Sequence, residues 1–483
     1  MNDFTIPEPK FRIYNTEDRA KQAFHPQKKG HVTLYSCGPT VYHYAHIGNF
    51  RTYVFEDLLR RTLKMLGMQV TQVTNITDID DKTIRGAIAQ NCSLTEYTKP
   101  YITAFFVDIG QLGIERSEYY PQATAYVRHM IDFIEKLMAK DFAYQSEDQS
   151  IYFSIERSEQ YGRLSRLKLD ELKEGAGDRR SALDEYEKDN VGDFVLWKAY
   201  EPERDGKVFW ESPFGRGRPG WHLECSTMAM EILGNTIDLH VGAVDNIFPH
   251  HENEIAQSEA CSGKQFVRFW MHAEHLIVDG KKMSKSLGNF YTLRDLLHKG
   301  YTGKEVRYIL MHTHYRTQFN FTFETCKASQ ISLRRINAFI QRMLEKKEDG
   351  SKPTAECHAI LQEDLNSFCE ALADDLNISE ALAALFELMR KVNTLDDAGK
   401  LSGGDAHETL FILQEMDRIL NVMDFEPQEG VPPELQQMLE QREAARKNKE
   451  WQLSDSLRDQ ILERGYLIED TPEGARLKKA AMK

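Results

Sequence analysis

The strand–helix–strand pattern of a parallel sheet occurs twice in this chain, in two widely separated segments. In the first segment, a β-prone run at residues 31–36 is followed by a helical pattern and by an alternating strand at residues 70–74. In the second, a strand pattern at residues 237–242 precedes a helix from about His250 and a strand at residues 275–278. The two halves predict one parallel sheet split by an insertion, with a ligand site where the strand order reverses.

The rest of the chain changes character around these halves. Between them, short strands alternate with helix and with turns rich in glycine and aromatic residues, and after about residue 295 helical periodicity dominates. The end of the chain predicts one helix near residues 434–464, followed by a short turn and strand. We therefore predict an α/β fold: a split Rossmann-like parallel sheet with an inserted domain, then a helical domain and a small C-terminal α+β domain.

Composition excludes several classes of protein. The 483 residues exceed what one hydrophobic core usually supports, and the 41% of hydrophobic and 28% of charged residues are typical of a globular chain. No stretch has the pattern of a targeting peptide or a membrane span, so we expect a cytoplasmic protein. The seven cysteines include no Cys-x-x-Cys pair, and each alone reads as a small buried hydrophobe. Any metal site must therefore be assembled from distant segments.

A group of polar side chains follows the first predicted strand. Thr40, His43, His46 and Asn49 recur every third residue, and Gly48 would allow a phosphate or ribose to approach the backbone at a helix start. Imidazole and amide donors of this kind could hold the phosphates of ATP, with Mg²⁺ as the accompanying ion. Taken alone, the His-x-Gly string is a weak signal, and a surface histidine fits it better.

A second string, Lys282-Met283-Ser284-Lys285-Ser286, follows the last predicted strand of the second half. When a carboxylate attacks the α-phosphate of ATP, negative charge grows on the departing pyrophosphate, and ammonium groups such as Lys282 and Lys285 can stabilise it. A solvated basic loop is the alternative reading of this string. The two strings together predict ATP-driven activation of a carboxylic acid.

These strings resemble the signature pair of class I aminoacyl-tRNA synthetases. The segment Cys37-Gly38-Pro39-Thr40-Val41-Tyr42 before the first string is similar to the cysteinyl-tRNA synthetase family within that class. The resemblance covers nearly the whole chain, and further segments that carry it are residues 75–82, 193–198, 217–226, 248–254 and 469–472.

The resemblance implies a division of the chain into domains. The implied parts are the first half of the catalytic domain (1–114), the connective insertion (115–215), the second catalytic half with the zinc site (216–294), a stem-contact linker (295–350), a helical bundle on the anticodon side (351–426) and a small anticodon-binding domain (427–483). It also implies that L-cysteine is joined to the 3′ end of tRNA(Cys) through a cysteinyl-adenylate, and we expect the enzyme to act as a monomer.

The resemblance further implies one zinc ion, held by Cys37, Cys225, His250 and Glu254. Two thiolates, an imidazole and a carboxylate suit Zn²⁺. His250 and Glu254 share a helix face at i, i+4, but spacing alone does not prefer His250 over His251, which is i, i+3 from Glu254. The ion would accept the substrate thiolate as a further ligand, and a purely structural, closed zinc site is the alternative.

The remaining site residues also come from the resemblance. Gly38, Thr77, Trp221 and Asp245 would line the cysteine pocket, with Asp245 meeting the ammonium group. The ATP site would consist of Thr40, His46, Gly48, Asn49, Gly242 and Lys285. Many relatives have a glycine-rich turn at residues 240–245, whereas this chain has one glycine there. Backbone contacts to adenosine would therefore rely on Gly242 and its neighbours.

The C-terminal segment carries the predicted tRNA contacts. The whole chain has a net charge of −14, so a polyanion must bind at local basic patches such as Lys447 and Lys449. Trp451 beside them is suited to stacking on an anticodon base, and Asp455 and Arg458 could contact base edges. A core role for Trp451 is the alternative, as is a solvated helix face for the charges.

Two other functions compete with cysteine transfer to tRNA. A related ligase could join activated cysteine to a small aminosugar, and it would be expected to lack the long helical, Trp451-containing tail. A zinc-stabilised RNA-binding protein without catalysis is the other, and it would have no use for Lys282 and Lys285. Cysteine-dependent exchange of pyrophosphate into ATP, and tRNA charging, separate the three functions.

Overall fold

The computed structural model describes residues 4–167, 192–284, 287–427, 432–448, 450–471 and 474–479. The chain forms two compact units, one that ends at Asp424 and one that begins at Phe425. Within the described part, no helix combines the length and the apolar character that crossing a bilayer requires.

The first part of the larger unit contains the predicted strand–helix–strand unit. Its elements are β1 (Arg12–Asn15), β2 (Ala20–Ala23), β3 (His31–Ser36), α1 (Ile47–Met65), β4 (Gln69–Thr74), α2 (Asp81–Ala89) and α3 (Leu94–Gln111). β3 and β4 pair in parallel, with α1 as the crossover between them. Gly67 takes a φ of +74° just after α1, a conformation that favours glycine and allows the chain to turn into β4.

The inserted part forms an antiparallel sheet of its own. Its elements are α4 (Val127–Ala139), β5 (Ala143–Gln145), β6 (Ile151–Phe153), β7 (Phe194–Ala199), α5 (Pro202–Asp205) and β8 (Gly217–Pro219), with the strand order β5-β6-β7-β8. Gly220 then presses against β7, where an added Cβ would lie 2.1 Å from the carbonyl oxygen of Val195. Because only glycine fits there, the chain can pass close to β7 and return to the main sheet.

The second half completes the parallel sheet. Its elements are α6 (Trp221–Leu233), β9 (Ile237–Ala243), α7 (Glu252–Ser262) and β10 (Val267–Ala273). The strand order is β10-β9-β3-β4, and every pair is parallel. The strand order reverses between β3 and β9, so the segments that follow these two strands flank the ligand crevice expected of such a sheet.

The prediction that the strand at residues 275–278 completes this sheet was wrong. The fourth main-sheet strand is β10, which is buried along nearly its whole length. The short strand β11 (Leu276–Val278) instead joins β12 (Lys281–Lys282) and β13 (Phe319–Phe321) in a separate three-stranded sheet. β11 and β12 form a hairpin through Asp279 and Gly280, so this turn precedes the Lys282–Ser286 string.

The remainder of the larger unit is helical, as predicted. Its helices are α8 (Leu293–His298), α9 (Gly303–Met311), α10 (Phe323–Lys346), α11 (Ala355–Ala373), α12 (Ile378–Asp397) and α13 (Gly403–Leu420). The buried guanidinium of Arg307 lies 2.6 Å from the Asp57 carboxylate on α1 and donates to the Leu420 carbonyl oxygen over 2.6 Å. This ion pair joins the helical part to the crossover helix of the sheet.

The prediction of one helix near residues 434–464 was also wrong, because the smaller unit has two helices there. Its elements are α14 (Pro433–Lys447), α15 (Trp451–Glu463), β14 (Tyr466–Thr471) and β15 (Gly474–Lys479). The two strands pair antiparallel, and Leu435, Ile461 and Tyr466 form a small buried core. The helices thus fold back on each other and on the hairpin.

Candidate active site

A cavity of about 300 Å³ opens at the carboxyl ends of β3 and β9, where the strand order reverses. The sequence-predicted site residues that line it are Cys37, Gly38, Thr40, His46, Asn49, Trp221, Gly242 and Asp245. Residues from three separate segments therefore face one space. Lys285 and Ser286 lie outside the described residues.

His46 and Asn49 form the start of helix α1. The backbone N–H of Asn49 donates to His46 Nδ1 over 3.2 Å, and the backbone N–H of His46 donates to Asn49 Oδ1 over 3.1 Å. This reciprocal pair caps the N-terminus of α1, and both residues line the cavity. Burial lowers the pKa of His46 to about 4. His46 is therefore a neutral imidazole at pH 7.

The two predicted ATP strings lie next to each other. A Cβ added to Gly48 would lie 2.9 Å from the His46 ring and 3.2 Å from the methyl carbon of Met283. The N–H of Ile47 also donates to the Tyr291 carbonyl oxygen over 2.9 Å. Lys282 is exposed on β12 next to Met283. The fold thus brings the Lys282 loop against the start of α1.

The four predicted metal ligands lie together. Cys37, Cys225, His250 and Glu254 offer ligand atoms that all fall within 4.8 Å of one another. Cys37 follows β3, Cys225 lies on α6, and His250 and Glu254 span the start of α7. Three segments that are distant in sequence therefore converge on a volume that suits one ion.

A second set of ligand atoms satisfies the same distance criterion. Cys37 and Glu254 belong to both sets, and His240 and His251 replace Cys225 and His250 in the second. His251 Nε2 lies 3.3 Å from Cys37 Sγ, and His240 Nε2 lies 3.0 Å from Glu254 Oε2. The choice between His250 and His251 that spacing left open therefore stays open in the geometry.

The sequence did not predict three further histidines of this cluster, which are His222, His240 and His272. The Nδ1 atoms of His222 and His250 are 2.9 Å apart, and His251 Nδ1 lies 2.8 Å from His272 Nε2. His240 and His272 lie on β9 and β10, where a strand histidine gives no signal of its own. Parallel pairing of Trp270 with His240 is what brings these two strands into register.

The electrostatics of the cluster fit a cation. Burial lowers the pKa of His250 well below its usual range, which favours the neutral, ligating imidazole. The pKa of the Cys37 thiol is raised by the hydrogen bond of Cys37 with Cys225 and by burial. Burial raises the pKa of Glu254, although His240 opposes this shift. The buried group of two thiols and a carboxyl thus disfavours negative charge unless a cation is present.

One atom of Glu254 gives the sharpest test of that fit. Glu254 Oε1 lies 3.1 Å from His250 Nε2, but the angle between the two groups does not allow a hydrogen bond. This buried oxygen therefore has no hydrogen-bond partner among the described residues. A buried, unpaired carboxylate oxygen is costly. An ion between these two atoms would satisfy both lone pairs, so the donor set fits a metal.

The predicted cysteine pocket is held by a chain of hydrogen bonds. The Gly38 N–H donates to Asn75 Oδ1 over 2.8 Å, and Asn75 Nδ2 donates to Thr77 Oγ1 over 3.1 Å. A Cβ on Gly38 would lie 1.6 Å from the Asn75 carbonyl oxygen, so glycine is required. The Thr77 hydroxyl in turn donates to Glu224, so Thr77 supports this wall from behind.

The remaining pocket residues occupy distinct positions. The Trp221 ring stacks on His250 with centroids 4.0 Å apart, which links the cavity wall to the metal cluster. Asp245 is exposed in the turn after β9. Gly242 packs under His251, where an added Cβ would lie 2.9 Å from the imidazole. Gly242, the single glycine of residues 240–245, lies near the end of β9 and is therefore needed by the histidine cluster as well as by the cavity.

The predicted tRNA contacts lie in the smaller unit. Trp451, Asp455 and Arg458 are exposed on α15, and Trp451 is 60% exposed. Spacings of four and three residues place them on one helix face. The alternative of a core role for Trp451 disagrees with this exposure.

Three family models match the chain. Residues 23–331 match the model for tRNA synthetases class I (C) catalytic domain, residues 367–424 match the DALR domain, and residues 428–476 match the cysteinyl-tRNA ligase anticodon binding domain.

Similar whole proteins point the same way. A cysteine–tRNA ligase of Protochlamydia amoebophila is 57% identical over 99% of this chain and 100% of its own length. One of Chlamydia pneumoniae is 52% identical over 96% and 98%. In fold, the chain is similar to a Mycobacterium tuberculosis methionyl-tRNA synthetase in complex with methionyl-adenylate, at a TM-score of 0.60, 15% identity, and coverage of 81% of this chain and 90% of that one.

Proposed function

Because this chain belongs to the cysteinyl-tRNA synthetase family, we propose that it charges tRNA(Cys) with L-cysteine in two steps through a cysteinyl-adenylate. In the first step, the cysteine carboxylate attacks the α-phosphorus of ATP, and pyrophosphate leaves. In the second, a hydroxyl of the terminal tRNA ribose attacks the carbonyl carbon, and AMP leaves. Cysteine charging of tRNA is the activity of the family, and the adenylate route is the proposal.

The observation that carries the proposal is the shared cavity. Within one stretch of 13 residues, from Cys37 to Asn49, the chain provides a candidate metal ligand and both members of the helix-capping pair, and all line the same space. A thiol held near Cys37 would thus place its carboxylate near the N-terminus of α1. Proximity of this kind makes the attack on ATP effectively intramolecular.

ATP would be held at the start of α1. Neutral His46, Asn49 and the backbone at Gly48 offer hydrogen-bond donors at a helix N-terminus, which favours phosphate. Lys282 and Lys285 would meet the charge that develops on pyrophosphate, and Mg²⁺ would accompany the nucleotide. Thr40 lines the same wall and would add a hydroxyl donor.

We assign Cys37, Cys225, His250 and Glu254 to one zinc ion. When bound, zinc would supply a ligand position that takes a thiolate far better than a hydroxyl. A purely apolar pocket separates two small substrates by roughly 1–3 kcal/mol, whereas a ten-thousandfold preference needs about 5.5 kcal/mol. This cluster therefore gives the pocket a means to reject serine without a second, editing site.

The surrounding residues would orient the amino acid. Trp221 covers the His250 side of the pocket, and Gly38 lets the substrate approach the backbone that Asn75 fixes. Asp245, exposed at the cavity wall, would pair with the ammonium group. In the smaller unit, Trp451, Asp455 and Arg458 would contact the anticodon.

The experiment combines two assays with metal analysis of the purified protein. Cysteine-dependent pyrophosphate exchange, cysteine charging of tRNA(Cys) and about one zinc per chain are the expected results. Exchange without tRNA charging would favour the aminosugar ligase, and zinc and RNA binding without exchange would favour a non-catalytic protein. Either outcome overturns the proposal.

A further inference from the structure

Five aromatic side chains line a part of the cavity that the proposed roles leave unused. This aromatic wall consists of Tyr42, His43, Tyr44, Tyr101 and Phe290. The His43 ring stacks beside Tyr101 at 6.3 Å and 15°, and Tyr44 meets Tyr101 edge-on at 5.4 Å. Phe290 packs edge-on against His43 at 6.1 Å. The rings therefore form one continuous surface from the loop after β3 to helix α3.

The aromatic wall is braced from behind. Tyr97 packs on Tyr101 at 5.5 Å, and its hydroxyl donates to the Tyr42 carbonyl oxygen over 3.0 Å. A Cβ added to Gly86 on α2 would lie 2.1 Å from the Tyr97 ring, so glycine there allows the close packing of α2 and α3. The rings are thus held in place before any ligand arrives, which reduces the entropy lost on binding.

Two cations lie against these rings. Lys82 Nζ lies 5.1 Å from the centre of the Tyr42 ring, and the Arg294 guanidinium lies 4.4 Å from that of Tyr44. Arg294 also pairs with the buried Asp108 carboxylate over 3.3 Å. In a chain of net charge −14, these cations mark a place where a phosphate backbone can approach.

Tyr44 is the outermost member and is 37% exposed. Aromatic faces interleaved with Lys and Arg are the chemistry by which proteins bind single-stranded nucleic acid, because bases stack on the rings while the cations meet phosphates. An amino acid or pyrophosphate offers no flat face to such a surface. The aromatic wall is also continuous with the cavity where the carbonyl carbon of the adenylate would lie.

We infer that the aromatic wall stacks the terminal nucleosides of the single-stranded 3′ end of tRNA and thereby brings the terminal ribose hydroxyl to the cysteinyl carbonyl. This inference rests on the proposed function, since it names the surface used in the second step. The adenine ring of ATP is the rival occupant of the same rings. If the rings bind adenine, they are needed for adenylate formation in the first step. If they bind the 3′ end of tRNA, they are needed only for transfer in the second.

The test compares two tRNA(Cys) transcripts, one complete and one lacking its single-stranded 3′ end, on Tyr44→Leu and Tyr44→Phe enzymes. Tyr44→Leu keeps apolar bulk but removes the flat ring. We expect it to weaken binding of the complete tRNA about tenfold, and of the shortened tRNA by less than about twofold, in line with stacking energies. Tyr44→Phe should bind both as the wild type does. Tyr119→Leu, which alters a tyrosine that is 50% exposed and outside the cavity lining, is the control.

Pyrophosphate exchange on the same variants separates the occupants. If Tyr44→Leu lowers charging at least about fivefold more than exchange, the nucleic-acid assignment holds. A raised KM for ATP in exchange, with equal loss for both transcripts, would assign the rings to adenine and overturn the inference. Equal weakening by Tyr119→Leu would overturn it too. If the wild type shows no cysteine-dependent exchange, the proposed function fails, whereas the transcript comparison by binding can still be made.

Discussion

The Thr77 hydroxyl donates a hydrogen bond to the buried carboxyl of Glu224 over 2.9 Å. Glu224 precedes the candidate ligand Cys225 on α6, and Thr77 pairs through its backbone with Thr40 beside the cavity. Burial raises the pKa of Glu224 well above its usual range, and the hydrogen bond from Thr77 opposes this shift. The pair therefore joins the metal-bearing helix to the wall of the proposed cysteine pocket.

Glu224→Ala should raise the KM for cysteine. Removing the acceptor leaves the donor of the buried Thr77 hydroxyl unpaired, which costs the folded protein about 1–3 kcal/mol. A shift of Thr77 that relieves this cost would move the pocket wall, and we expect the KM for cysteine to rise roughly fivefold or more. Glu224→Gln keeps an acceptor and should stay within about threefold of the wild type. Exchange kinetics at saturating ATP measure both variants. A fall in kcat without a change in KM would assign Glu224 to another role.

Metal content should distinguish the two histidines that spacing and geometry leave open. If the ion uses His250, then His250→Ala should weaken zinc binding about 100-fold or more, whereas His251→Ala should weaken it far less. The measurement is competition with a chromophoric chelator, with circular dichroism to verify folding. The opposite order would move the ion to the set formed by Cys37, His240, His251 and Glu254.

The first half of the sheet was predictable because its signals are local. β3 and β4 are short β-prone runs, and Gly67 marks the turn between α1 and β4. β10 was missed because a strand buried on both faces shows no alternation, whereas the neighbouring β11 ends at a clear Asp279-Gly280 turn. Local turn chemistry drew the prediction to the wrong strand.

The candidate metal site could be predicted only in part, because some of its ligands meet only through the pairing of distant strands. Helical spacing pairs His250 or His251 with Glu254, but the approach of Cys37 to Cys225 depends on β3 lying beside β9 in the sheet, and spacing carries no signal of that. The placement of Cys37 beside Cys225 was predicted only from the resemblance to the cysteinyl-tRNA synthetase family. The break between α14 and α15 was missed because neither Gly nor Pro marks residues 448–450.

Lys285→Ala should lower the rate of adenylate formation about 100-fold while leaving cysteine binding within about twofold. A cation that meets the leaving pyrophosphate acts mainly in the transition state. Pyrophosphate exchange and equilibrium binding of cysteine measure the two effects. Lys281→Ala, which removes a neighbouring exposed lysine on β12, should change neither. Equal losses in both lysine variants would indicate a general effect of charge.

The stability of the protein should depend on the protonation of His46. Its pKa is lowered from 6.5 to about 4 in the folded chain, so the unfolded chain binds the proton more readily between these values. Stability is therefore fully present above pH 6.5 and declines as the pH falls toward 4. His46→Asn keeps the cap on α1 but cannot ionise. Between pH 7.5 and pH 5, wild type should lose about 2 kcal/mol more than this variant in urea unfolding. Parallel losses would contradict the assignment.

Trp451→Ala should weaken tRNA use while leaving pyrophosphate exchange unchanged. Trp451 is 60% exposed at the first turn of α15, in the unit that begins at Phe425, whereas the cavity lies in the other unit. Loss of one stacked base would raise the KM for tRNA about five- to 150-fold. Trp451→Phe should recover most of this loss because a ring remains. Leu462→Ala, an exposed apolar residue on the same helix, is the matched control. If both alanine variants raise the KM equally, or if exchange falls as well, Trp451 serves the packing of the small unit rather than base recognition.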